Sequence, residues 1–146
     1  MPEDTIPGSR VRTTTKHGDL TADEVASLLP GMAGLMDELA HRAWVLYYAA
    51  KGGNWELAAY MERKSEKLME TIALARPKYR EDLDAFAREH MAPLARAIEA
   101  RDWMAFDAAY RSAVEASDMY HAKYRKGFIR FRLPPRPPEW FDLGPP

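Results

Sequence analysis

Residues 32–54 read MAGLMDELAHRAWVLYYAAKGGN. Met32, Leu35, Met36, Leu39, Ala43, Leu46 and Ala50 recur at the three- and four-residue spacing that gathers side chains into one stripe of an α-helix. Gly52-Gly53 ends the pattern, and Asn54 is a residue whose side chain caps the start of a new helix. A helix with a single apolar stripe needs other faces to cover it, and the flanking sequence supplies three. A second helix is predicted from Asn54 to Ala75, ahead of Arg76-Pro77, with Leu57, Ala58, Met61, Ser65, Leu68 and Ile72 inward. A third covers Arg80 to Arg101, with Leu83, Ala87, His90, Met91, Leu94 and Ile98 inward, and Pro93 inside it predicts a kink or a break. Asp102 caps a fourth, whose stripe is Trp103, Phe106, Tyr110, Ala113, Val114, Ser117, His121 and Tyr124, and Gly127 is its expected end.

Short connections between long helices favour antiparallel neighbours. The expected fold is therefore all-α, an antiparallel four-helix bundle, with globin-like packing as the alternative. A short helix from Asp19 or Thr21 to Leu29 precedes it, stopped by Pro30-Gly31. The expected division is an extended, irregular segment over 1–20, a helical bundle over 21–127 and a proline-rich tail over 128–146. Most of the chain's eleven prolines lie in that tail, which predicts polyproline-like extended backbone.

Composition narrows the function classes. An apolar fraction of 47% supplies a core for one domain of 146 residues. A net charge of −1 gives no general attraction to nucleic acid or to an anionic membrane. No window approaches the roughly 18 apolar residues of a spanning helix. The acidic start, MPEDTIPGSR, has no apolar run of the secretory kind, so a cytoplasmic protein is expected. The absence of cysteine excludes disulfides, thiolate ligands and covalent thioether attachment of a cofactor.

The fourth helix is the informative one. Ser117, Tyr120, His121 and Tyr124 fall within a turn and a half, while Ser65 and His90 lie on the inward stripes of the second and third helices. If the stripes meet, the interior holds two imidazoles, two hydroxyls and a phenol or two. Each such group buried without a partner costs about 1–3 kcal/mol, so the set forms either a satisfied structural network or a ligand site. A di-metal carboxylate site is also spaced correctly: Glu38-x-x-His41 and Asp118-x-x-His121, with Glu62 and Glu66 on the second helix. The phase opposes it, because Glu38 and His41 point away from the apolar stripe. No nucleophile elbow, zinc-protease motif or phosphate loop is present, and the chain reads as non-catalytic.

Two further surfaces stand out. Trp44 and Tyr48 lie opposite the core stripe of the first helix, and Phe131, Trp140 and Phe141 are apolar residues of the tail. Each needs cover, from the chain's own ends, a second copy or a protein partner. Lys123, Arg125, Lys126, Arg130, Arg132 and Arg136 make the exit of the fourth helix basic, which suits the helix dipole and offers a grip for an anion.

Three stretches carry a resemblance: Tyr47-Tyr48-Ala-Ala-Lys-Gly-Gly-Asn54-Trp55-Glu-Leu-Ala-Ala-Tyr60, Pro93-Leu-Ala-Arg-Ala-Ile-Glu-Ala-Arg-Asp102 and Phe106-Asp-Ala-Ala-Tyr110. They resemble small proteobacterial helical proteins that are distantly similar to cytochrome c′, over about 110 residues. In that family C-x-x-C-H closes the last helix, the cysteines fix haem, the histidine is its axial ligand, and a Phe-Ile pair follows. Here Ser117-Asp-Met-Tyr120-His121 stands in that place and Phe128-Ile129 follows. The resemblance implies a haem-binding frame that has lost covalent attachment, with His121 as the only ligand carried over and His90 as a candidate opposite it.

The expected function is a non-catalytic accessory subunit or protein-interaction module, as a homo-oligomer or with a protein partner. The alternative is a protein that binds haem non-covalently, or another small molecule, in the interior around His121. The third is a small subunit of a multi-subunit enzyme.

Overall fold

The computed structural model describes residues 6–146, which are mostly helical with one small two-stranded sheet; residues 1–5 of the expected N-terminal segment lie outside them. The chain divides into a unit ending at Gly31 and a unit spanning Met32–Pro146.

In the first unit, residues expected to be irregular are paired. Strands β1 (Arg12–Thr15) and β2 (Gly18–Thr21) form an antiparallel hairpin in the register Arg12↔Thr21 to Thr15↔Gly18. The β-branched run Thr13-Thr14-Thr15 suits a strand. No residue of either strand is fully buried, so the apolar alternation that betrays a strand in sequence is missing. Helix α1 (Ala22–Ser27) follows under a capping box: Thr21 Oγ1 accepts from Glu24 N–H at 3.1 Å, and Glu24 Oε2 accepts from Thr21 N–H at 2.7 Å.

In the second unit, α2 (Met32–Lys51) and α3 (Trp55–Ala75) match the expected helices, and Asn54 Oδ1 accepts from Leu57 N–H at 3.1 Å as the cap of α3. The third helix is divided into α4 (Arg80–Phe86), a π turn (Ala87–Met91) and α5 (Ala92–Glu99). In the π turn Ala92 N–H reaches back five residues to the Ala87 carbonyl. Pro93, one position on, has no N–H with which to continue the ladder, so the break falls one turn before the proline. Helix α6 (Trp103–Lys123) is capped by Asp102 Oδ1 on Ala105 N–H at 3.0 Å. It stops short of the expected Gly127. Arg125 takes the left-handed conformation at φ 60, with Arg125 N–H on the Ala122 carbonyl and Lys126 N–H on the His121 carbonyl, which is the Schellman arrangement. Gly53 after α2 and Arg101 after α5 end their helices in the same way.

Helix α2 packs against α3 and α6, and α5 against α3 and α6. Val45, Ile72 and Phe106 are the largest fully buried side chains. Rings of Tyr47, Trp103, Phe106 and Tyr110 cluster at centroid distances of 4.9 to 6.5 Å. Such pairs add roughly 0.5–1.5 kcal/mol each beyond their buried area.

The tail is neither helical nor free. From Phe131 onward it runs along the face of α2 that lies away from the core stripe. Trp44 Nε1 donates to the Arg136 carbonyl at 2.8 Å, Tyr48 Oη to the Pro134 carbonyl at 2.7 Å, and Asn54 Nδ2 to the Asp142 carbonyl at 3.1 Å. Val45 to Ala50 are all buried, where one apolar stripe would bury only every third or fourth residue: the tail covers the Tyr48 side, and Trp103, Phe106 and Tyr110 of α6 cover Tyr47. Gly52 lies so close under the tail that a Cβ there would collide with the Leu143 carbonyl.

Candidate functional site

Helix α6 presents Ser117 and His121 one turn apart, toward the space between α2, α3 and the π turn. Two adjoining cavities of about 290 and 210 Å³ occupy that space. The larger is walled by Leu39, Ala43 and Leu46 of α2, Ser65 and Met69 of α3, Met91 of the π turn, Tyr110 and Ala113 of α6, and Phe131 of the tail. The smaller is walled by Met32 and Met36 of α2, Tyr79, Leu83, and Tyr120 and Tyr124 of α6. Met36, Leu39, Met69, Phe86, Ser117, His121 and Ile129 line both, so His121 and Ser117 stand where the two meet.

Most polar groups here are already engaged. Ser65 Oγ donates to the Met61 carbonyl one turn back at 2.8 Å, a local bond that serves a buried hydroxyl. Tyr110 Oη donates to the Ala43 carbonyl at 2.8 Å, and burial, ahead of the nearby Tyr47 and Tyr48 phenols, pushes its ionisation well above the usual value. Tyr124 Oη donates to Asp82, whose carboxylate also takes Lys123 Nζ at 2.8 Å. The bonds from Lys123 and then Tyr124 hold the Asp82 carboxyl below its ordinary range, and the same contact raises Lys123 and Tyr124. His121 differs: its Nδ1 is buried and among the described residues has no hydrogen-bond partner. A buried nitrogen left unpaired costs about 1–3 kcal/mol, and such atoms in folded proteins mark an unfilled role or an absent water or ligand.

Of the residues singled out in the sequence, Ser65, Ser117 and His121 share the larger cavity, and Ser117, Tyr120, His121 and Tyr124 the smaller one. His90 joins neither. Met91 and Leu94 face the core as expected, while His90, inside the π turn, lies half-buried against Phe86, at 5.1 Å between ring centroids. An interior pair of His90 and His121 is therefore corrected: the two rings do not share a cavity.

The chain's own tail supplies part of the cover that the expected interaction surface needs. Trp44 and Tyr48 are covered by the chain's own tail, and Phe131 tucks into the larger cavity wall. Trp140 stacks on His41 at 5.7 Å and meets Trp44 edge-on at 5.4 Å, yet remains 61% exposed, with Phe141 beside it. Glu38 pairs with Arg42 at 3.0 Å, and with His41 on Trp140 this half of the di-metal pattern lies outside the interior. Among the described residues no group of three or more histidines and carboxylates is placed to hold a metal, and no helix is long and apolar enough to cross a membrane.

One group has a role that the sequence does not announce. Glu62 is only 4% exposed, and its Oε1 has no partner. It lines a separate cavity of about 390 Å³ between α3 and α5, with Arg63, Glu99 and Arg101. Burial first, then the neighbouring Glu66 carboxylate, pushes its ionisation up to about 8 against a smaller opposing pull from Arg63. The tail residues Ile129 and Arg130 were likewise unforeseen as cavity walls; the apolar residues after α6 that needed cover were the available signal. Comparisons with protein-family models, with curated proteins and with solved structures find no match for this chain.

Proposed function

We propose that the helical unit is a four-helix bundle, formed by α2, α3, the α4–α5 pair and α6, that holds an apolar small molecule non-covalently against His121. The observation that carries this reading is the pair of adjoining cavities meeting at His121, whose buried Nδ1 has no partner. Small-molecule sites are concave, mostly apolar and fitted with a few polar groups, and the walls here are largely methionine, leucine, phenylalanine and alanine. Four methionines, Met32, Met36, Met69 and Met91, make those walls adaptable. The reading keeps the cytochrome c′-like ancestry and the cytoplasmic location expected from the sequence. It sets the interaction-module reading second, because the tail already covers Trp44 and Tyr48; what supports that second reading is Phe128 at 82% and Trp140 at 61% exposure.

Haem is the cofactor that the resemblance implies, and the fit is poor. His121 supplies one imidazole, His90 faces Phe86 instead, and the larger cavity sits at the foot of the roughly 300–1,000 Å³ range of ligand pockets. A smaller apolar molecule is the better match. The test is titration with an environment-sensitive apolar dye, followed by Ala113→Phe, which fills the larger cavity from α6. Saturable fluorescence in the wild type that Ala113→Phe abolishes is the expected result. A haemin titration runs alongside it, with little or no Soret shift expected. No saturable dye binding in a folded wild type would sink the proposal.

A further inference from the structure

The charges at the rims of the two cavities are unequal in their pairing. On the smaller cavity the one carboxylate, Asp82, is committed to Lys123 and Tyr124. On the larger one, Asp37 and Arg130 both line the wall; among the described residues neither makes an ion pair, and a cation there has a free carboxylate on the same rim. Lys126 also lines the smaller cavity, is solvent-exposed, and among the described residues its ammonium makes no ion pair or hydrogen bond. It follows the Schellman turn that ends α6, which fixes its backbone through the His121 carbonyl. The smaller cavity is thus an apolar space with an uncommitted cation at its rim.

We propose that the ligand is a monocarboxylate with a long apolar body. Its carboxylate sits at Lys126, and its body runs through the smaller cavity, past His121 and Ser117, into the larger one beneath Phe131. The inference deepens the cavity reading and rests on it. Two adjoining cavities that share Ser117, His121 and five apolar residues as walls suit an extended chain rather than a broad planar ring system. The unbranched, flexible methionines along both lobes conform to a chain without one fixed shape. An anion is favoured over a neutral head because the rim is wet: the carboxylate keeps part of its hydration and gains a charge-assisted bond, where a buried charge would not.

Competition against the bound apolar dye tests this with three twelve-carbon probes at submicellar concentration: dodecanoate, dodecan-1-ol and dodecylammonium. An exposed ion pair contributes up to about 1 kcal/mol, so dodecanoate should displace the dye at roughly two- to five-fold lower concentration than the alcohol. Dodecylammonium should be weaker than both. Lys126→Gln should erase the preference for the acid, Lys126→Arg should keep it, and 0.5 M salt should shrink it. Equal displacement by acid and alcohol overturns the carboxylate assignment and leaves the apolar cavity standing. A preference that survives Lys126→Gln but is lost in Arg130→Gln overturns the placement of the head. Displacement by none of the three, in protein that binds the dye, rejects the chain-shaped ligand, and absence of dye binding rejects the cavity reading itself.

Discussion

Glu62 makes the stability of this protein depend on pH in the direction opposite to that of a salt-bridged carboxylate. Its ionisation is raised from 4.5 to about 8 by burial, with Glu66 adding to the rise and Arg63 opposing it. Between those two values the folded protein holds a proton that the unfolded chain releases. Stability is therefore fully present at low pH, falls as pH rises from about 4.5 toward 8, and levels off above, where both states are ionised. Moving an ionisation by one pH unit is equivalent to about 1.4 kcal/mol. The whole interval sets a ceiling of about 5 kcal/mol, and relaxation of Glu66, Glu99 and the two arginines around the cavity brings the expected loss to about 2–4 kcal/mol.

Glu62→Gln removes the ionisation and keeps the shape. At pH 4 the variant should match the wild type within about 1 kcal/mol, since there the side chain is largely neutral in the folded and the unfolded state alike. At pH 9 it should be more stable by about 2–4 kcal/mol, which for a domain of this size is a rise in Tm of about 10 °C. Circular-dichroism melts and urea titrations across pH 4–9 measure the difference, and the carbon chemical shift of the Glu62 carboxyl locates its midpoint. Parallel stability curves for the two proteins, or a midpoint near 4.5, would refute the reasoning.

Three other outcomes test the fold. Arg125→Gly and Arg101→Gly replace left-handed residues at φ 60 and 51 with the residue that suits them, so each should gain about 0.5–1 kcal/mol in urea unfolding; a loss would mean that these helix ends are built differently. Gly52→Ala puts a methyl where the Leu143 carbonyl passes, so the tail should lift. Limited proteolysis should then cut beyond residue 132 several-fold faster, while the helical signal stays unchanged. Phe106→Ala empties a fully buried site among Tyr47, Trp55 and Trp103, and should cost about 3–5 kcal/mol by the same unfolding assay.

The helices of the second unit were legible because each carries its own punctuation. Asn54 and Asp102 cap where a capping side chain was expected, and the stripes of α3 and α6 bury Met61, Leu68, Ile72, Phe106 and Tyr110 as their spacing requires. The failures share a cause as well: they lie where tertiary partners override local pattern. The hairpin over 12–21 has no apolar alternation to announce it. The end of α6 falls at Arg125 because two backbone bonds close the turn there, although Gly127 is the residue with the free φ. The all-round burial of 45–50 needs tail residues some ninety positions away on the Tyr48 side as well as α6 on the Tyr47 side, and no helical wheel contains the tail.

The candidate site divides along the same line. Ser117, Tyr120, His121 and Tyr124 could be grouped in advance because one regular helix spaces them. His90 could not, because its helix contains a π turn. One inserted residue rotates everything after it by about 100° relative to everything before, so a wheel drawn through 83–98 misplaces whichever residue sits in the insertion. Pro93 signalled an irregularity but not its kind, since a kink at the proline would have left His90 inward and a π turn ahead of it does not. Met91, expected inward, does line the cavity beside His121. Of the two imidazoles expected in the interior, only that of His121 lines either cavity. The π turn is thus the structural reason that this interior differs from the two-histidine site its sequence suggests.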